Sequence, residues 1–133
     1  MKLKYLLLSF PIIALLSFTI NENDPFKESI SRGQGIYMVN CMHCHLQDGQ
    51  GVEPTVPPLA GVKYLVENKH QAIRQVLHGL EKPITINGVT YEGNMPEQAA
   101  LTDQEAADVL NYIRNSWGNK APMIGAHEVA MER

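Results

Sequence analysis

The chain has 133 residues, with 11 Lys and Arg against 14 Asp and Glu, and carries a formal charge of −3. That length holds one domain, and an acidic balance without any basic cluster excludes a nucleic-acid partner. Aromatic residues are only 7% of the chain, so its core is marginal for its size, and a large buried apolar ligand would stabilise it.

The first 20 residues contain no acidic side chain. Lys2 and Lys4 open them, and Tyr5 to Ile20 is an apolar run broken only by Ser9, Pro11, Ser17 and Thr19. Sixteen helical residues would span roughly 24 Å, less than the ~30 Å hydrocarbon core of a bilayer, and Pro11 interrupts such a helix. Residues 1–20 therefore read as a secretory signal peptide. No clear small-x-small triplet closes the run, so an uncleaved membrane anchor is the second reading. A lipid-modified N-terminus is excluded, because Cys41 and Cys44 are the only cysteines and neither lies near residue 20. The remainder of the chain is expected outside the cytoplasm, in the periplasm. Without Lys2 and Lys4 its formal charge moves from −3 to −5.

Residues 21–25 read as a short linker. Asp24-Pro25 places an N-cap before a proline at the first helical position. Phe26, Ile30, Gly33, Tyr37 and Cys41 then share one face of a helix expected from about Pro25 to Asn40. From Leu46 to Gly61, three glycines (Gly49, Gly51 and Gly61) and three prolines (Pro54, Pro57 and Pro58) rule out long regular structure. An irregular stretch of that length needs something packed against it. A short helical turn is expected over Val62 to Val66. Asn68 with Gln71 suggests a capping box for a helix whose apolar face is Ile73, Val76, Leu77 and Leu80, ending near Gly79. Ile84 to Tyr91, centred on Asn87-Gly88, reads as a hairpin with a type I′ turn. Gly93-Asn94-Met95-Pro96 is irregular. Thr102 and Glu105 form a second capping box, opening a helix that carries Ala106, Val109, Leu110, Ile113 and Trp117 on one side and stops at Gly118. Residues 120–133 show little periodicity and are expected to be a loosely ordered tail.

The sequence Cys41-Met42-His43-Cys44-His45 is the attachment signature for c-type haem. Two thiols three positions apart near a helix end can reach two vinyl groups on one edge of the porphyrin and form thioethers. A histidine directly after the second thiol then lies under the iron. Other uses of these residues fit poorly. A Cys41–Cys44 disulfide closes a tiny loop and stabilises little. A redox dithiol needs a βαβ context, and zinc needs a second ligand pair, whereas His70 and His78 are eight apart. His43 occupies a free position of the motif and reads as an exposed filler. Met95, five other methionines including the initiator, His70, His78 and His127 remain as candidates for the iron's other face. Met95 is favoured by its irregular Gly-Asn-Met-Pro setting, but position alone leaves a core-packing role open.

A run of motifs carries a family resemblance: Gly33-x-x-x-Tyr37-x-x-x-Cys41-x-x-Cys44-His45, then Pro57-Pro58-Leu59-Ala60-Gly61, then Asn94-Met95-Pro96, then Tyr112 to Asn119. Together they resemble the class I bacterial cytochromes c, over about Ser29 to Asn119. Leu77 to Met95 resembles the haem modules that accompany periplasmic dehydrogenases. The resemblance implies an all-α class I fold over residues 26–119, with three main helices around one covalently bound haem c and a small β-hairpin insertion. It implies Cys41 and Cys44 as attachment points, and His45 and Met95 as axial iron ligands. A carbonyl of the Pro57-Pro58 turn, Pro58 favoured, would accept a hydrogen bond from the free nitrogen of His45. Gly33 and Tyr37 would meet the Tyr112 to Trp117 segment where the first and last helices cross.

His/Met ligation fills all six iron positions, which points to a one-electron carrier and not to an enzyme. A haem peroxidase or gas-binding sensor is the alternative if Met95 dissociates easily. The implied partners are exported redox proteins, a dehydrogenase or quinol-linked donor and an oxidase or reductase acceptor. Membrane contact follows only if the N-terminal segment is retained.

Overall fold

The computed structural model describes residues 24–133; the expected signal peptide and residues 21–23 of the expected linker lie outside the described residues. Asp24 accepts a hydrogen bond from the Phe26 amide at 3.0 Å and starts helix α1, Pro25–Asn40, so Pro25 is already helical. Ser29, Gly33 and Tyr37 are its buried residues. They face α5, Asp103–Ile113, which opens on the capping box of Thr102 and Glu105. Between them lie α2 (Met42–His45), α3 (Lys63–Glu67), α4 (Lys69–His78), and strands β1 (Ile84–Ile86) and β2 (Val89–Tyr91). A last helix, α6, covers Ala126–Ala130. Among the described residues, no helix is long and apolar enough to cross a membrane.

The α1–α5 crossing is the frame of the molecule. Gly33 makes it possible, because a Cβ there would fall 1.9 Å from the Asp108 carbonyl oxygen. The Asp108 side chain, 2% exposed, lies in the same crossing. Burial pushes its carboxyl up, but hydrogen bonds from Arg32, Ser29 and Gln104 outweigh that and hold it below the usual carboxylate value. Tyr37, Tyr112 and Trp117 close the far end of the crossing with ring centroids 5.1–5.4 Å apart.

The hairpin forms in the expected register, Ile84 opposite Tyr91 and Ile86 opposite Val89. Asn87 and Gly88 take φ of 52° and 84°, as a type I′ turn requires. Ile86 and Tyr91 are buried in the core, which supplies the support that two strands lack alone.

Three local expectations are corrected. Asn68 does not cap α4 with its side chain; its Nδ2 donates instead to the Tyr64 carbonyl at the end of α3, 3.3 Å away. Helix α5 ends at Ile113 and not at Gly118: the Asn115 amide turns to the Tyr112 carbonyl, and Trp117 takes a left-handed φ of 51° that keeps any helix from reaching Gly118. Residues 120–133 are packed and not loose. Asn111, fully buried on α5, accepts from the Ile124 amide at 2.7 Å and donates to the Ile124 carbonyl at 2.9 Å. Ile124 and Val129 are fully buried, and Glu128 pairs with Lys69 of α4. The segment is held through its backbone by buried polar side chains, a mode that leaves no periodic pattern in the sequence.

Candidate functional site: an apolar slot between the attachment turn and the Met95 segment

The Cys41 to His45 turn is fixed at the end of α1. Cys41 breaks that helix with φ −121°, and its amide still bonds to the Tyr37 carbonyl. The amides of Cys44 and His45 both return to the Cys41 carbonyl, at 3.1 and 3.0 Å. Leu46 ends the turn in a left-handed conformation, φ 64°, and its carbonyl accepts the Tyr37 hydroxyl at 2.6 Å. The result is one rigid turn with Cys41 and Cys44 half-buried, their thiols free, and His45 only 7% exposed. Burial, helped by Cys44, pushes the Cys41 thiol up to about 11. His43 points to solvent, as a filler should.

The His45 ring is oriented by its neighbour across the loop. Nδ1 lies 3.1 Å from the Pro57 carbonyl oxygen. The expectation that favoured Pro58 is therefore corrected to Pro57: of the two adjacent carbonyls, that of Pro57 is the one directed at the ring. A carbonyl can only accept, so Nδ1 carries the proton and Nε2 presents its lone pair. Burial lowers the affinity of the ring for a second proton, against the opposing effect of the Pro57 contact.

The irregular Leu46 to Gly61 stretch is shaped by what it wraps. The Gly49 carbonyl accepts from the amides of Leu59 and Ala60, and Gly51 returns to the His45 carbonyl at 3.1 Å. Trp117 covers Gly49 so closely that a Cβ would lie 2.7 Å from the ring. Asn119 then donates to the Leu59 carbonyl at 2.8 Å, tying the loop to the end of α5.

Met95 enters from the opposite direction. It pairs with Leu80 as an isolated antiparallel bridge, with bonds of 2.9 and 3.0 Å in both directions. Gly79, at φ 72°, allows the close approach: a Cβ there would sit 2.3 Å from the Met95 carbonyl oxygen. Between the attachment turn and this bridge lies an apolar slot. One cleft, about 710 Å³ of free space including its open mouth, runs past Cys44, Pro57, Tyr64, Ile84 and Ile86. A second, of about 500 Å³, reaches Cys41 and the Val109, Leu110 and Ile113 face of α5. His45, Leu59, Leu65, Gln75 and Met95 line both, which makes them one space.

This donor set fits a covalently held haem. Both thiols stand on one turn, an imidazole with a free lone pair lies beside them, a thioether stands on the slot's wall, and the rest of the wall is apolar enough to take a flat ring. Among the described residues, the other candidates for the second axial position stand elsewhere. Met38, Met123 and Met131 are 55%, 41% and 71% exposed, and Met42 packs on the core beside the attachment turn. His70 and His78 bond to Glu132, and His127 lies in α6. Sequence reading missed the contribution of Tyr64, Gln75 and the hairpin's Ile84 and Ile86 to the slot. The hairpin's need for support was legible; Gln75 carried no signal, since it follows the helical pattern as a surface residue would.

A family model described as Cytochrome c matches residues 30–117. Cytochrome c-552 of Thermus thermophilus is 38% identical over 97 residues, covering 70% of this chain and 73% of that protein. The cytochrome c subunit of a quinone alcohol dehydrogenase from Gluconacetobacter polyoxogenes is 41% identical over 92 residues, covering 68% of this chain but only 19% of the subunit. The gluconate 2-dehydrogenase cytochrome c subunit of Pantoea cypripedii is 33% identical over 105 residues and is spanned for 24% of its length.

Proposed function

Since the chain belongs to the cytochrome c family and is an electron carrier with covalently attached haem c, we propose that Cys41 and Cys44 form the thioethers while His45 and Met95 supply the two axial ligands. When bound, haem provides an iron that cycles between Fe(III) and Fe(II) by one electron. The observation that carries the assignment is the slot itself, with His45 and Met95 both on its lining.

Each residue has a definable task. His45 keeps its proton on Nδ1 through the Pro57 carbonyl, which leaves Nε2 for the metal and prevents the ring from turning. The Leu80 bridge holds the Met95 backbone, so its thioether is pre-positioned and little rearrangement accompanies a change of oxidation state. A soft sulfur ligand favours Fe(II) and raises the potential. The apolar wall excludes water, which strengthens both effects.

The chain acts on this reading outside the cytoplasm, exported by its N-terminal segment, and exchanges electrons with other redox proteins. A dehydrogenase donor is supported by the matched cytochrome subunits, and an oxidase or reductase is the corresponding acceptor. Met95→Ala tests the assignment. The native protein should show a six-coordinate low-spin spectrum with haem retained after acid-acetone extraction. The variant should become high-spin, bind external ligands and lose potential; an unchanged spectrum would show that another residue is the ligand.

A further inference from the structure

Arg114 is a buried cation without a counter-ion among the described residues. It is 1% exposed, and Asp108 is the other charged side chain buried to that degree. Asp108 is paired with Arg32. Arg114 instead bonds to carbonyl oxygens alone: Nε donates to Leu65 at 2.9 Å, and Nη2 and Nη1 donate to Val66 and Pro122 at 3.0 Å. Glu128, the carboxylate that favours its charged form, is held by Lys69 and by the Gly125 amide. Burial pushes the guanidinium below its ordinary value, against Glu128, yet an arginine keeps its charge.

The carbonyls do not require that charge. In the same corner Asn111 and Asn119 bond to the carbonyls of Ile124, Leu59 and Ile113 through neutral amides. A charge taken out of water without a partner is costly, so a carbonyl clamp leaves the choice of arginine unexplained. Its position explains it. Leu65, whose carbonyl it holds, lines both clefts of the slot, and its chain neighbour Ile113 lines the second. The guanidinium thus stands one peptide unit behind the slot wall. No Lys, Arg, Asp or Glu lines either cleft, and the field of a buried charge is weakened little by salt.

We propose that Arg114 is a potential-setting residue, whose buried charge behind the Leu65 wall favours Fe(II) over Fe(III). The proposal rests on the haem placement given above. Reduced iron carries one positive charge fewer, so a fixed cation destabilises it less and the carrier sits at a higher potential.

The test uses the holoprotein with Arg114→Gln, which removes the charge but keeps an amide donor, and Arg114→Lys, which keeps the charge but loses the fork. Midpoint potential is read at low and high salt, with circular dichroism as the fold control and the methionine–iron absorption band as the ligation control. Arg114→Gln should lower the potential equally at both salt concentrations. Arg114→Lys should match the native potential at about pH 5, where the lysine is charged. An unchanged potential in folded Arg114→Gln, or equal shifts in the two variants at that pH, would overturn the proposal and leave only a clamp. If Arg114→Gln does not fold, Arg114→Lys decides alone. Burial lowers the pKa of a lysine, so the potential of this variant should step down between about pH 5 and pH 11 as the proton leaves. A curve parallel to that of the native protein would overturn the proposal. A native protein that is not six-coordinate and low-spin would instead overturn the axial-ligand reading.

Discussion

Gly33 and Asp108 stand closer than any side chain would allow: a Cβ on Gly33 would lie 1.9 Å from the Asp108 carbonyl oxygen and 2.9 Å from the Cβ of Tyr112. The contact is backbone against backbone, so no rotamer change can relieve it. Gly33→Ala should therefore push α1 away from α5 at a cost beyond the usual ~1–3 kcal/mol of overpacking. Thermal unfolding of the holoprotein measures this, and a melting temperature within 2 °C or so of the native value would refute it.

The Asp108 carboxyl makes the same crossing sensitive to acid. Its folded-state pKa is held below the ordinary 3.8, with burial opposed and outweighed by Arg32, Ser29 and Gln104. A depressed carboxylate pKa stabilises the fold above its unfolded value, and that contribution is lost as pH falls through the folded value. Stability should thus decline below about pH 4. Asp108→Asn should cost about 1.5–3 kcal/mol at pH 7, the scale of hydrogen bonds to charged groups, and should flatten the acid limb of a melting-temperature profile. Parallel profiles for the two proteins would count against this role.

Gly79 couples the end of α4 to the ligand segment. A side chain there would meet the Met95 carbonyl oxygen at 2.3 Å and would also strain a backbone at φ 72°. Gly79→Ala should displace the Leu80–Met95 bridge and weaken the sulfur ligand while the attachment turn stays intact. The methionine–iron absorption band should then disappear at lower denaturant concentration than global unfolding. Coincident transitions would mean that the bridge does not hold the ligand independently.

The C-terminal segment should matter for stability despite its unpatterned sequence. Ile124 is fully buried and bonded on both sides of its peptide unit to Asn111. Ile124→Ala should cost about 2–5 kcal/mol. Asn111→Ala should be comparably harmful, since it leaves the Ile124 amide and carbonyl without their buried partner. A loosely attached tail would tolerate both changes within roughly 0.5 kcal/mol, and denaturant titration distinguishes the cases.

Local chemistry in the sequence determined much of this protein. The Cys41 to His45 spacing named the cofactor, because thiols at i and i+3 followed by an imidazole at i+4 can meet one porphyrin edge and its iron together. Asp24-Pro25, Thr102 with Glu105, and Asn87-Gly88 marked their elements correctly, because capping and turn conformation depend on neighbours within four residues. Asn68 misled for the opposite reason: its side chain found the Tyr64 carbonyl of a neighbouring helix before its own amides.

What the tertiary structure alone decided depends on groups distant in sequence. That Pro57 and not Pro58 orients His45, that Gln75 meets Tyr64, and that Asn111 and Arg114 hold the C-terminal segment are all contacts to particular carbonyls, amides or hydroxyls. Backbone groups are the same in every residue, so the sequence at the accepting end carries no mark of being chosen. Hydrophobic spacing could place a residue on a face; only the packed chain could select which polar atom faces it there.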